Sequence, residues 1–72
     1  MKPDYASAFL DRAISKLRLG QLDEAGADYD AAIRFDPSDP NAYIERGLWY
    51  VAKDDAAAAV ANYSSALKLK PN

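Results

Sequence analysis

Three of the four prolines in this 72-residue chain are evenly spaced, at Pro3, Pro37 and Pro71. Proline lacks a backbone N–H group and disfavours helical geometry at the residue before it, so it tends to end helices. A fixed period of about 34 residues is typical of repeat architectures, in which each repeat is one supersecondary unit. This spacing, which we call the repeat interval, therefore predicts that the chain contains two copies of one unit.

The two halves of the chain match each other when one is shifted by the repeat interval. The identical pairs are Ala8 with Ala42, Arg12 with Arg46, Ala25 with Ala59, Ala27 with Ala61, Tyr29 with Tyr63, Ala32 with Ala66 and Pro37 with Pro71. The conservative pairs are Phe9 with Tyr43, Leu10 with Ile44, Ile14 with Leu48 and Ile33 with Leu67. Because the matches run along both halves, the interval reflects a repeated structure.

Apolar residues in each half follow the spacing of two amphipathic helices. The predicted helices cover about residues 6–19, 21–35, 40–52 and 55–69, and no strand signal lies between them. Gly20 separates the two predicted helices of the first half, and the segment KDD takes the same place in the second half. Between the pairs, Asp39 and Pro40 form a helix start, because aspartate caps free N–H groups and proline suits the first helical position. The sequence thus predicts an all-α fold of two tandem antiparallel helix-turn-helix hairpins.

The composition argues against several classes of function. The chain has neither cysteine nor histidine. It therefore lacks the thiol of cysteine, the commonest general base, which is histidine, and the commonest ligands of transition metals, which are both residues. Its net charge of −2 comes without a basic patch, so neither nucleic acid nor an anionic membrane is an expected partner. No apolar run is long enough to span a bilayer and no signal peptide is recognisable, so a soluble chain of unassigned compartment is predicted. Without a paired nucleophile and base or a Gly-rich phosphate loop, neither enzyme activity nor a cofactor is predicted.

Two groups of charged residues have structural explanations that are favoured over functional ones. Asp23, Glu24 and Asp28 could form a cation site, but the first turn of a helix favours acidic residues and no calcium-loop pattern occurs. No metal site is therefore predicted. Arg12 and Arg46 recur in register, and acidic neighbours within reach favour surface pairing over contact with a partner's carboxylate.

The ordered set of aromatic, small and proline residues resembles the tetratricopeptide repeat family. The matching residues are Phe9, Ala13, Ala25, Tyr29, Ala32 and Pro37 in the first repeat, and Tyr43, Gly47, Tyr50, Ala59, Tyr63, Ala66 and Pro71 in the second. Two departures are Lys16, where the family prefers an aromatic residue, and Asp54, which replaces the glycine between helices. The resemblance implies one domain over residues 1–72 with the arrangement of a right-handed α-solenoid fragment, either part of a longer array or a minimal repeat protein. Its repeats cover about 6–39 and 40–72, and residues 1–5 resemble the closing turn of a preceding repeat.

In this family the usual function is protein binding on a concave surface lined by the first helix of each hairpin. The positions that the resemblance assigns to this groove are Ser7, Leu10, Ile14, Leu17, Arg18, Asn41, Ile44, Leu48, Val51 and Ala52. A mainly aliphatic groove implies a peptide or an amphipathic helix as the partner. The carboxylate clamp that grips acidic chaperone tails is missing, because the matching positions hold Leu10, Ile14 and Glu45.

A second interpretation is that the main partner of the chain is another copy of itself. Each hairpin leaves an apolar face uncovered until a neighbour stacks on it, and about three repeats are normally needed for stability. The residues expected to take part in self-association are Trp49, Tyr63, Leu67 and Leu69. Trp49 has the alternative of packing against the preceding hairpin. The aliphatic groove residues have the alternatives of completing a small core or of meeting a second copy of the chain.

Overall fold

The computed structural model describes residues 4–69, which form four α-helices and the turns between them. Helix α1 covers Tyr5–Arg18, α2 covers Leu22–Phe35, α3 covers Pro40–Ala52 and α4 covers Ala56–Leu69. Helix α1 packs on α2, α3 packs on α4, and α2 contacts α3 between the hairpins. No β-strand occurs in this span, and the predicted all-α fold of helical hairpins is confirmed.

The N-terminal turn expected at residues 1–5 falls mostly outside the described residues. Its last residue, Tyr5, already belongs to α1, so that helix begins one residue earlier than predicted. Pro3 and Pro71 also lie outside the described part of the chain. Of the three evenly spaced prolines, the structure therefore describes Pro37, which stands in the turn between the hairpins.

Aspartate side chains begin three of the helices. Asp4, Asp39 and Asp55 accept hydrogen bonds from backbone N–H groups in the first turns of α1, α3 and α4, at 2.9–3.1 Å. Pro40 occupies the first turn of α3 directly after its cap, so the predicted helix start is confirmed. The segment with two prolines is thus a reversal between hairpins.

The tight turn inside each hairpin uses one residue with a left-handed backbone. Gly20 has a φ of 80° and Asp54 has a φ of 61°. Glycine adopts this conformation freely, and aspartate is one of the few other residues that tolerate it. Asp54 therefore takes the part in the second hairpin that Gly20 takes in the first.

Small residues let the two helices of each hairpin approach closely. In the first hairpin Ala13 and Ala25 are fully buried together with the Tyr29 ring. In the second hairpin a Cβ atom on Gly47 would lie 2.7 Å from a ring carbon of Tyr63, so the ring rests on the glycine backbone. Larger side chains at these alanines and this glycine would force the helices apart.

The contact between the two hairpins, which we call the hairpin joint, sets the position of one hairpin on the other. It is formed by Asp23, Gly26 and Asp30 of α2, by Arg46 and Trp49 of α3, and by Lys53 directly after α3. At its centre a Cβ atom on Gly26 would lie only 2.5 Å from the Trp49 indole. The indole Nε1 donates a hydrogen bond to the carbonyl oxygen of Leu22 at 2.7 Å, and its ring centroid lies 6.2 Å from that of Tyr29. Trp49 is therefore engaged within the chain.

Two ion pairs border the hairpin joint. Arg46 Nη1 lies 2.9 Å from Asp30 Oδ1. Lys53 Nζ lies 3.9 Å from Asp23 Oδ1 and 4.9 Å from the centroid of the Trp49 ring. Because these pairs are solvent-exposed on at least one side, they contribute less to stability than the packing of the indole.

An arginine on the first helix of each hairpin binds a polar side chain on the second helix. Arg12 donates from Nε and Nη2 to the two carboxylate oxygens of Asp28, each at 2.8 Å, and Lys16 Nζ lies 3.1 Å from the same carboxylate. The hydrogen bond from Arg12 is the main reason that the pKa of Asp28 lies below its ordinary value. In the second hairpin Arg46 Nε donates to Asn62 Oδ1 at 2.7 Å. The predicted use of both arginines in pairing within the chain is confirmed.

Replacing Gly26 by alanine is expected to destabilise the chain, although alanine is the better helix former by about 1 kcal/mol. The added methyl group would collide with the Trp49 indole, and overpacking of this kind costs about 2 kcal/mol. Urea unfolding followed by circular dichroism measures the change in the free energy of unfolding. In a Trp49→Ala background the same Gly26→Ala substitution should be neutral or stabilising. An equal loss in both backgrounds would contradict the proposed collision.

Replacing Asp28 by asparagine copies the polar pair of the second hairpin, where Asn62 is equivalent. We expect the free energy of unfolding at pH 7 to fall by about 1 kcal/mol, because a charged acceptor becomes a neutral one. Since the folded-state pKa of Asp28 is lowered, its stabilisation is present above the unfolded pKa of about 4 and is lost as pH falls through the folded value. Wild type should therefore lose stability below about pH 4 more steeply than Asp28→Asn. Parallel pH curves for the two proteins would contradict this role.

Candidate protein-binding groove

Three groove positions on α3 form an exposed aliphatic row, which we call the α3 ridge. Ile44, Leu48 and Val51 are spaced by four and three residues, so they share one face of the helix. Their exposed fractions are 38%, 45% and 55%. Burying each of these side chains away from water would be favourable, so the α3 ridge is suited to contact with apolar side chains of a partner.

The aliphatic groove positions on α1 are less accessible. Leu10, Ile14 and Leu17 are half-buried and pack against the cluster of Ala13, Ala25 and Tyr29. They therefore contribute to the core of the first hairpin, which was the alternative to a groove role, and keep only part of their surface for a partner. The two sides of the groove are thus unequal, with more exposed apolar surface on α3.

The remaining groove positions lie near the helix ends and are exposed. They are Ser7 and Arg18 on α1 and Asn41 and Ala52 on α3. The Ser7 hydroxyl donates a hydrogen bond to the Asp4 carboxylate at 2.8 Å, so this side chain helps to cap α1. The groove as predicted therefore has an aliphatic middle and mostly polar ends.

The fully buried Tyr29 lies under the aliphatic residues of α1. Its hydroxyl oxygen has no hydrogen-bond partner among residues 4–69. Burial raises the pKa of Tyr29 to about 12, the charge of Glu45 adds to this effect, and the charge of Arg18 opposes it. The phenol is therefore neutral at physiological pH. Glu45 on α3 and Arg18 on α1 place opposite charges close to the same ring.

The residues expected to take part in self-association have different environments. Trp49 lies in the hairpin joint, and Tyr63 is half-buried against Gly47. Leu67 and Leu69 on α4 remain 65% and 41% exposed. Of the four residues, only these two leucines present a large apolar surface to solvent.

Two further exposed aliphatic side chains were not identified from the sequence. Val60 on α4 is 62% exposed, and Leu19 in the turn after α1 is 73% exposed. Val60 stands one repeat interval after Gly26, and Gly26 is the residue on which the Trp49 indole lies in the hairpin joint. A comparison of the two repeats by side-chain size, in addition to identity, would have singled it out.

Helix α1 also carries a shallow hollow that the sequence did not predict. The α1 hollow has a volume of about 240 Å³ and is lined by Tyr5, Ala8, Phe9 and Arg12. The rings of Tyr5 and Phe9 each lie 5.6 Å from the Phe35 ring at the end of α2. The Arg12 guanidinium lies 5.4 Å from the Phe9 centroid, so the hollow has an aromatic wall with a cation at its edge.

Other kinds of site find no matching arrangement in the described part of the chain. Over residues 4–69 there is no group of three or more acidic side chains placed to hold a metal ion. None of the helices α1 to α4 combines the length and the apolarity needed to cross a membrane. The positions that match a carboxylate clamp hold two aliphatic side chains and the carboxylate of Glu45.

Two relatives among characterised proteins align with most of this chain. It is 34% identical over 65 residues to Superkiller complex protein 3 of Mus musculus and 34% identical over 64 residues to the Homo sapiens protein of that name. These alignments cover 90% and 89% of this chain but only 4% of either relative. The chain therefore corresponds to a small part of the length of those proteins.

Two family models match the chain and together reach from residue 15 to its last residue. The model described as TPR repeat matches residues 15–54, which is more than half of the chain. The model described as Tetratricopeptide repeat matches residues 40–72. The match at 15–54 spans the hairpin joint, and the match at 40–72 covers the second hairpin. The chain belongs to the tetratricopeptide repeat family, whose repeats generally mediate protein–protein interaction on a scaffold that is generally non-enzymatic.

Proposed function

We propose that the chain is a protein-interaction module whose groove binds a peptide or an amphipathic helix. The α3 ridge carries this proposal, because Ile44, Leu48 and Val51 stay exposed in a row while the core is closed by smaller residues. The half-buried aliphatic residues of α1 supply the second wall. Exposed apolar surface that is arranged in one patch is typical of contact sites.

The spacing of the α3 ridge favours a helical or extended apolar segment as the partner. The ridge covers two helical turns, about 10 Å, a length that two or three anchor residues of an amphipathic helix can match. A partner with apolar anchors at helical spacing is therefore favoured. The two curated relatives are named as a protein of a complex, which is in line with such a role.

Self-association is a second candidate function, and a separate observation favours it. Val60 on α4 is 62% exposed, whereas the equivalent Gly26 on α2 is buried against Trp49 of α3. A hairpin of this family stacks on its neighbour through this face. We infer that another copy of the chain covers α4 when the concentration is high enough.

The groove proposal predicts saturable binding that depends on the α3 ridge. Random peptides of about 16 residues, some four helical turns, are displayed on phage and selected against the chain, and an enriched peptide is titrated by calorimetry. We expect one peptide per chain, with apolar anchors at helical spacing. Leu48→Glu should weaken binding at least tenfold, because a charge would be placed in an apolar contact.

The matched control is Leu67→Glu, which adds the same charge to an exposed leucine on α4. This variant should bind the peptide as wild type does, and both variants should keep the wild-type helical circular dichroism. Equal affinity of Leu48→Glu and wild type would overturn the groove proposal. So would a stronger loss in Leu67→Glu than in Leu48→Glu.

A further inference from the structure

We propose that copies of this chain stack head to tail, with α4 of one copy seated on α1 of the next in the register of the hairpin joint. The proposal rests on the second candidate function, self-association, and specifies its geometry. The joint already shows how the second helix of one hairpin holds the first helix of the following hairpin. Each α2 position in the joint has its equivalent on α4, one repeat interval later. Each joint position on or just after α3 has its equivalent on or just after α1, one repeat interval earlier.

The central pair of the joint has a size-complementary equivalent at the two ends of the chain. In the joint the large Trp49 lies on Gly26. The equivalent residues are the small Ser15 on α1 and the larger Val60 on α4, and both are exposed. One bulky and one small side chain therefore meet again, with the bulky partner now on α4. Stacking would remove Val60 from water without a clash.

At one edge of the joint, a pair of charged residues has equivalents that are both apolar. In the joint Lys53 faces Asp23 at 3.9 Å. The equivalent residues are Leu19 and Ala57. Leu19 is 73% exposed in the single chain, so a partner at this position would cover the most exposed large apolar side chain among residues 4–69. If only one of the two equivalents were apolar, stacking would place a charged side chain against an apolar one. Because both Leu19 and Ala57 are apolar, this mismatch does not occur.

The pair at the other edge avoids leaving a buried charge without a partner. In the joint Arg46 binds Asp30 at 2.9 Å, and the equivalents are Arg12 and Ser64. Arg12 already has both oxygens of a carboxylate from its own hairpin. Its charge is therefore compensated before stacking, and a neutral serine hydroxyl is a sufficient neighbour.

The α1 hollow lies at the place that the preceding hairpin occupies in the joint. Its residues Ala8, Phe9 and Arg12 are equivalent to Ala42, Tyr43 and Arg46 of α3. Ala42 is only 2% exposed, whereas Ala8 is exposed. Helix α2 covers this face of α3, whereas residues 4–69 leave Ala8 on α1 exposed. A second copy whose α4 takes the position of α2 would cover Ala8 in the same way.

Stacking of this kind is heterologous, since different surfaces of the two copies meet. Such contacts do not close after two subunits and extend into rows unless the rotation closes a ring. The contact should be weaker than the joint, because Ser15 cannot replace the hydrogen bond from Trp49 to the backbone, and the ion pair to Asp30 has no counterpart. Concentration-dependent association is therefore expected.

Sedimentation equilibrium over a hundredfold range of concentration, up to about millimolar, measures the association. The weight-average mass of wild type should rise from the 7.9 kDa of one chain to more than twice that value. Val60→Glu on α4 and Leu19→Glu after α1 should each remain at the mass of one chain. An equimolar mixture of the two variants should form a dimer and nothing larger, because each variant retains one intact face, and the two intact faces are complementary.

Ser38→Glu in the turn between the hairpins is the control, since it adds a charge to an exposed residue outside both the contact and the groove and should associate as wild type does. Wild type that stays at 7.9 kDa throughout would overturn both the stacking and the second candidate function. Wild type that associates while Leu19→Glu also associates, or while the mixture stays monomeric, would overturn the head-to-tail register but leave self-association standing. The groove proposal is tested separately by the peptide titration, so these outcomes neither support nor overturn it.

Discussion

The contact of the Trp49 indole with the bare backbone at Gly26 fixes the geometry on which the rest of the molecule depends. Because no Cβ atom separates them, α3 approaches α2 closely enough for the indole nitrogen to reach the carbonyl oxygen of Leu22. The indole then lies beside Tyr29, which becomes fully buried. With the second hairpin held there, α1 and α3 supply the two walls of the proposed groove.

The same dependence explains why two hairpins with matching residues differ in burial. Tyr29 is fully buried because Trp49 of the second hairpin packs against its cluster, while its equivalent Tyr63 is half-buried against Gly47. The polar pairs differ in a parallel way. Asp28 receives two hydrogen bonds from Arg12 and a contact from Lys16, whereas Asn62 pairs with an arginine that is shared with Asp30. The Arg12 and Asp28 pair thus lies entirely within the first hairpin, whereas Arg46 of the second hairpin also binds the first.

The fold could be predicted from the sequence because its signals are local. The helix ends around the turn between the hairpins follow from Pro37, Asp39 and Pro40. The turn at Asp54 follows from its position one repeat interval after Gly20. Burial was harder to predict, because helical spacing shows which residues share a face without showing what covers that face. Leu10, Ile14 and Leu17 share their face with the core cluster, which only the packing of α2 decides. The partner of Trp49 was hidden because a glycine gives no hydrophobic signal.

Stacking and groove binding would support each other although they use different surfaces. In the single chain the proposed groove has two walls, the exposed ridge of α3 and the half-buried residues of α1. If a second copy seats its α1 beside α4, that α1 continues the row of first helices, and the ridge of the first copy gains a new neighbour. A partner long enough to touch both copies would bind the stacked form more tightly. By linkage it would then favour stacking by the same factor.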